Sequence, residues 1–144
     1  MLVPLPSLRA TRSAAKSLAA ELAGGELLLL SGELGSGKTT FVGYLAEALG
    51  IESGWVSSPS FTLIQRYPPG RRGIALTHVD LYRLKSQREL EGLGLEETLD
   101  SGDLVAVEWP SVGEALWAEC ARPKMRFEFG WDERGARQVE VMRS

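Results

Sequence analysis

The sequence predicts an α/β domain, a mixed β-sheet flanked by helices with antiparallel hairpin additions. Three observations predict it. Short apolar runs of strand length alternate with helix-forming stretches. One apolar run, "ELLLLSG", leads through a glycine-rich loop into a helix. Two stretches, "PPGRRG" and "DERGA", have the turn chemistry that joins neighbouring strands.

Taken in order, residues 9–23, "RATRSAAKSLAAELA", are rich in helix formers, with Ser7 or Thr11 as the cap and Gly24-Gly25 as the stop. "ELLLLSG" is a buried strand. Gly37 to Leu49 is a helix with Phe41, Leu45 and Leu49 on one face, ended by Gly50. "FTLIQRY" and "GIALTHVDLY" are strands around "PPGRRG". "SQRELEGLGLEETLD" is a short, interrupted helical region, and "DLVAVEWP" a further buried strand. "SVGEALWAEC" is a helix in which Ser111 and Glu114 have the spacing of a capping box. "KMRFEFGW" and "RQVEVMRS" close the chain as a strand pair.

The 144 residues form one domain by length, long enough for a core without disulfide or metal support. A net charge of -3 disfavours a strongly basic nucleic-acid binder but allows a local basic patch. Cys120 is the single cysteine, so no intramolecular disulfide forms, and it reads as a small buried residue. The longest apolar run, Leu27 to Leu30, is far too short to span a bilayer, and the N-terminus lacks a secretory pattern. The expectation is a cytoplasmic protein with no membrane association.

The chemistry concentrates at "GELGSGKT", Gly32 to Thr39, which fits G-x-x-x-x-G-K-[ST] between a strand and a helix. Glycines let the backbone wrap phosphate oxygens, and the helix N-terminus adds a positive end. Glu33, Leu34, Gly35, Ser36, Gly37, Lys38, Thr39 and Thr40 are therefore the nucleotide-binding candidates. Lys38 is placed to reach the β- and γ-phosphates, and the Thr39 hydroxyl to ligate Mg²⁺. The class this predicts is P-loop NTPase-like.

Such a loop needs acidic partners on neighbouring strands. Asp80 ends the apolar run of "IALTHVD", and Glu108 ends "LVAVE". Bare carboxylates there are costly unless a cation pairs them. Asp80 reads as a metal-site acid or as a loop cap. Glu108 reads as a second metal ligand, as the group orienting an attacking water, or as a carboxylate paired with arginine. Two acids ending strands fit a crevice at the carboxyl end of a sheet. "SSPSFTL", residues 57–63, has the composition of a switch loop, with Ser60 and Thr62 as hydroxyls for the γ-phosphate. A proline-punctuated turn explains it equally. His78, the single histidine, reads as structural rather than catalytic. Trp109 reads as core packing, singled out by its place beside Glu108. Arg66, Arg71, Arg72, Arg83 and Arg88 form a solvated face or a contact for an acidic protein or RNA.

The chain contains no asparagine, so the Asn-Lys-x-Asp motif that reads guanine is absent and ATP is favoured. Nothing marks the acceptor pocket or lid of a small-molecule or nucleoside kinase, which remains the alternative enzyme. A non-catalytic, nucleotide-gated binding module is the alternative without chemistry.

"LSGELGSGKTTFV", "VSSPSFTLIQRY", "HVDLYRL", "ELEGLGLEETL" and "VAVEWP" come in an order and spacing that resembles the TsaE (YjeE) family. The likeness runs from about Leu5 to about Trp117. That family is the small ATPase of bacterial tRNA threonylcarbamoyladenosine synthesis. The resemblance implies binding of ATP and Mg²⁺, slow hydrolysis alone, and docking on TsaB with TsaD. TsaD transfers the threonylcarbamoyl group, so tRNA is reached through the complex. It implies phosphate and metal roles for Lys38 and Thr39, a Walker B role for Asp80, and a part in metal binding and hydrolysis for Glu108. It places Trp109 and Thr11 near the nucleotide. Ser60 departs from the threonine common in the family, "KSQRELEG" is less acidic than usual, and nothing from Lys124 onward matches a family motif.

Overall fold

A computed structural model describes residues 1–51 and 64–143. Ser60, Thr62 and the rest of "SSPSFTL" lie outside the described residues. The elements are β1 (Leu2–Pro4), α1 (Leu8–Glu21), β2 (Leu27–Ser31), α2 (Lys38–Ala48), β3 (Ile64–Tyr67), β4 (Leu76–Asp80), α3 (Gln87–Glu91), α4 (Leu95–Asp100), β5 (Leu104–Glu108), a 3₁₀ turn (Pro110–Gly113), α5 (Glu114–Glu119), β6 (Lys124–Trp131) and β7 (Arg137–Arg143).

Among the described residues the strands form one sheet in the order β1-β7-β6-β2-β5-β4-β3. The four inner strands, β6-β2-β5-β4, run parallel. β3, β7 and β1 join antiparallel at the edges. The expected mixed sheet with hairpin additions is therefore present. β2 reads as four consecutive leucines because it sits between two layers, and Leu27 to Leu30 are all buried. One face carries Leu28, Leu30, Leu76, Leu104 and Phe127 against α1 and α2, through Ala15, Leu18, Phe41 and Leu45. The other carries Leu27, Leu29, Val79, Val105 and Val107 against Leu90, Leu95 and Trp117.

Ser7, not Thr11, caps α1, its Oγ accepting from Ala10 N at 3.1 Å, while the Thr11 hydroxyl turns back to Ser7 O at 3.2 Å. The Ser111–Glu114 capping box does not form. Pro110 starts a 3₁₀ turn, Gly113 caps α5 without a side-chain bond, and Glu114 pairs with Arg126 at 2.7 and 3.1 Å. Trp117 imposes this turn: its Nε1 donates to Pro110 O at 2.7 Å, and a Cβ at Gly113 would lie 2.5 Å from its ring. Cys120 is half-buried against the second core rather than fully buried. β1 has no counterpart in the sequence expectations, because three residues ending in proline carry no period; β7 supplies its register, Val3 opposite Val139.

The expected solvated arginines also do structural work. Arg72 donates to Ala19 O and Leu22 O, satisfying carbonyls at the end of α1. Arg66 on β3 donates to Asp103 at 2.8 and 3.2 Å, and the Thr77 hydroxyl adds a third bond at 2.9 Å. The Arg66 hydrogen bond is the main cause holding the Asp103 carboxyl below the usual aspartate range. A depressed folded value stabilises fully above the unfolded pKa of about 3.9 and is lost as pH falls through the folded value. Asp103→Asn is therefore expected to lower the melting temperature at pH 7 by about 2–5 °C. That gap to the wild type should close in melts taken progressively below about pH 4. A gap independent of pH would show that the carboxylate's charge is not what stabilises.

Candidate functional site

The site forms where β2, β4 and β5 end together. β2 and β5 pair Leu30 with Glu108, and β4 and β5 pair Asp80 with Glu108. The two carboxylates thus emerge side by side, beside the loop that leaves β2. Both are buried, Asp80 at 6% and Glu108 at 3% exposure.

The loop's glycines are needed at named positions. Gly32 has φ +143°, and a Cβ there would lie 2.7 Å from Phe129 O and 2.8 Å from Ser36 Oγ. Gly37, at φ +107°, opens α2 without a side-chain cap, leaving first-turn N–H groups for a ligand. The Ser36 hydroxyl is buried with no hydrogen-bond partner among the described residues. Such an orphan costs about 1–3 kcal/mol, which an acceptor in the loop would offset.

Lys38 is buried at 4% exposure, and its Nζ donates to Gly32 O and, at 3.0 Å, to Glu33 O. Nζ also lies 4.2 Å from the centroid of the Trp109 ring. Burial pushes the Lys38 pKa down, opposed by the negative charges of Glu108 and Asp80. The Thr39 hydroxyl meets both Glu108 oxygens, at 3.0 and 2.9 Å. Asp80 Oδ1 accepts from Tyr82 N at 3.0 Å.

A cavity of about 550 Å³ opens over this group. It joins Leu34 to Thr40 with Thr11, Asp80, Glu108 and Trp109. The structure thus brings together every sequence-derived candidate in the described residues except the Glu33 side chain, whose carbonyl alone takes part. Trp109 is half-buried, packed against the second core and lining the cavity, with its ring 5.0 Å from that of Tyr82.

Sequence reasoning missed three contributors. Arg137 on β7 donates through Nε and Nη2 to Gly35 O, at 3.2 and 3.0 Å, and lines the cavity. Arg83 lines it as well. His78 Nε2 lies 2.6 Å from Glu108 Oε2, both groups fully buried. No motif marks Arg137, which lies 102 residues from its partner. His78 was visible as a buried-strand histidine, but its partner was not.

A hydroxyl and two carboxylates are hard oxygen donors. They are too few to form a closed cage, and no group of three His, Cys, Asp or Glu stands ready for a metal among the described residues. Mg²⁺, which keeps waters and takes phosphate oxygens, suits such an open set.

A glycine-rich strand–loop–helix at the carboxyl end of a parallel sheet, backed by two carboxylates on adjacent strands, defines an α/β protein of the P-loop type. The model of the family "Threonylcarbamoyl adenosine biosynthesis protein TsaE" matches residues 5–139. The chain belongs to this TsaE family of tRNA threonylcarbamoyladenosine biosynthesis.

Curated relatives agree. The TsaE protein of Rickettsia bellii is 41% identical over 102 residues, 71% of this chain and 69% of that protein. That of Streptomyces coelicolor is 40% identical over 116 residues, 80% and 75% of the two chains. That of Bacillus subtilis is 43% identical over 99 residues, covering 69% and 60%. The alignments span from 57% to 75% of the lengths of these and related TsaE proteins. Among solved structures, Bacillus subtilis YdiB superposes with a TM-score of 0.75 at 26% identity, covering 100% of this chain and 84% of that one. No helix among the described residues is long and apolar enough to cross a membrane.

Proposed function

We propose that this chain is the Mg²⁺-dependent ATPase of tRNA threonylcarbamoyladenosine synthesis. In this reading it hydrolyses ATP slowly alone, and its nucleotide state governs docking on the cytoplasmic TsaB–TsaD pair. tRNA is then reached through that complex. The observation that carries the reading is the Thr39 hydroxyl at 2.9–3.0 Å from Glu108, with Asp80 alongside and Lys38 between loop and ring. Membership of the TsaE family supports the pathway.

Each described residue then has a role its position supports. The first turn of α2 and the loop amides receive phosphate oxygens, and Ser36 gains an acceptor for its buried hydroxyl. Among the described residues, Lys38 has carbonyl partners and a ring face to leave when its ammonium turns to the phosphates. Thr39, Asp80 and Glu108 would hold the metal directly or through water. Bound Mg²⁺ would neutralise charge on the terminal phosphates. Glu108, at the cavity end of β5, would orient the attacking water or the metal's water shell. Thr11 on α1 and Trp109 flank the nucleotide, and Ser60 and Thr62 belong to the proposed switch segment.

The test is ATP turnover by the purified protein, alone and with TsaB–TsaD from the same source. Slow turnover that rises with the pair is the expected result. Turnover indifferent to the pair, with label passed to a sugar or nucleoside, would favour the kinase alternative.

A further inference from the structure

We propose that His78 is a positioning residue for Glu108. Its Nε2–H fixes the rotation of the carboxylate that Thr39 also touches, and so fixes the oxygen offered to the cavity. This deepens the proposed function and rests on it.

The placement begins with register. His78 and Asp80 alternate onto one face of β4, and His78 lies directly opposite Ala106 on β5. The alanine's single methyl leaves room for the imidazole to lean along the strand toward Glu108, two residues further on. Nε2 then sits 2.6 Å from Oε2, with both side chains withdrawn from water. Among the described residues no other polar partner reaches the ring. Nδ1 is buried and without a hydrogen-bond partner among the described residues.

Two consequences follow. The carboxylate selects the tautomer: an Nε2–H imidazole makes the bond and leaves only an acceptor orphaned at Nδ1. The imidazole also breaks the symmetry of Glu108. The Thr39 hydroxyl lies almost equally far from both oxygens, at 3.0 and 2.9 Å, so by itself it does not fix the group's rotation. His78 touches Oε2 alone. Carboxylates that work on a metal or its water are oriented by such outer partners, and losing one typically costs about 10–100-fold in affinity or activity. A histidine kept only for packing has no need of a nitrogen at that place, and an isosteric apolar ring would serve the core better.

The experiment compares the wild type with His78→Phe, which keeps a ring without nitrogen, and His78→Gln, whose amide N–H reaches nearly the same point. Melting temperature, kcat, KM for ATP and the Mg²⁺ concentration for half-maximal turnover are measured for each. His78→Phe is expected to stay folded, to keep KM within about threefold, and to lose kcat or Mg²⁺ affinity by about 10–100-fold. His78→Gln should recover most of that loss. Nitrogen NMR of the nucleotide-free wild type should show the proton on Nε2, and Glu108→Gln should shift that signal.

Turnover and Mg²⁺ dependence left intact in His78→Phe would overturn the proposal alone. So would an equal loss in both variants that follows their melting temperatures. A proton on Nδ1 overturns it without any variant, even if His78→Phe fails to fold. A wild type with no Mg²⁺-dependent turnover would instead remove the parent function, and this proposal with it.

Discussion

Lys38→Ala is expected to abolish measurable ATP binding, with an affinity loss of at least about 100-fold, or ~2.7 kcal/mol. Two effects act in the same direction. The ammonium is the loop's positive charge, held at the cavity by Gly32 O, Glu33 O and the Trp109 face. It is also the cation whose charged form Glu108 and Asp80 favour against the effect of its burial. Its removal leaves two buried carboxylates near an incoming polyphosphate without the loop's own cation to offset them. Titration calorimetry with Mg²⁺ and ATP on folded variant checks this. Affinity retained within about fivefold, ~1 kcal/mol, would remove Lys38 from the phosphate site.

Glu108→Ala is expected to separate binding from turnover. ATP affinity should stay within about tenfold, because the loop, α2 and Lys38 remain, while kcat should fall by about 100-fold or more, ~2.7 kcal/mol. The variant also strands the Thr39 hydroxyl and the His78 imidazole, both of which bond this carboxylate. Those orphans cost about 1–3 kcal/mol of stability. Glu108→Gln keeps the shape and most of the stability, and should match Glu108→Ala in turnover. Normal hydrolysis in either variant would show that Glu108 has no part in the chemistry. Lost hydrolysis with intact TsaB–TsaD docking would show that binding of nucleotide alone suffices to gate the partner.

The residues that carry the proposed chemistry were readable in the sequence for a physical reason. Lys38 and Thr39 belong to a consecutive motif whose strand and helix are local. Asp80 and Glu108 announce themselves as charges at the ends of runs otherwise too apolar to hold one. That they lie opposite each other is a matter of sheet register, which the parallel pairing of β4 with β5 supplies. His78 and Arg137 were opaque because their partners are 30 and 102 residues away. The failed capping box teaches the same lesson at short range. Ser111 and Glu114 had the right spacing, but Pro110 and the Trp117 ring fixed that turn first.

Trp109 stands at φ 59°, ψ 58°, alone among the described non-glycine residues in taking a positive φ. A bulky residue held there costs about 1–3 kcal/mol that glycine would avoid. The sheet enforces the bend, since Trp109 N donates to Leu30 O at 3.1 Å just before the chain turns into Pro110. Only the indole gives the tryptophan an advantage over glycine, and the indole lies over the Lys38 ammonium and against Tyr82. The protein therefore gives up ease of folding at a place where a ring faces the cavity. Relieving the strain with Trp109→Gly would yield a chain more comfortable in its backbone and less equipped at its mouth.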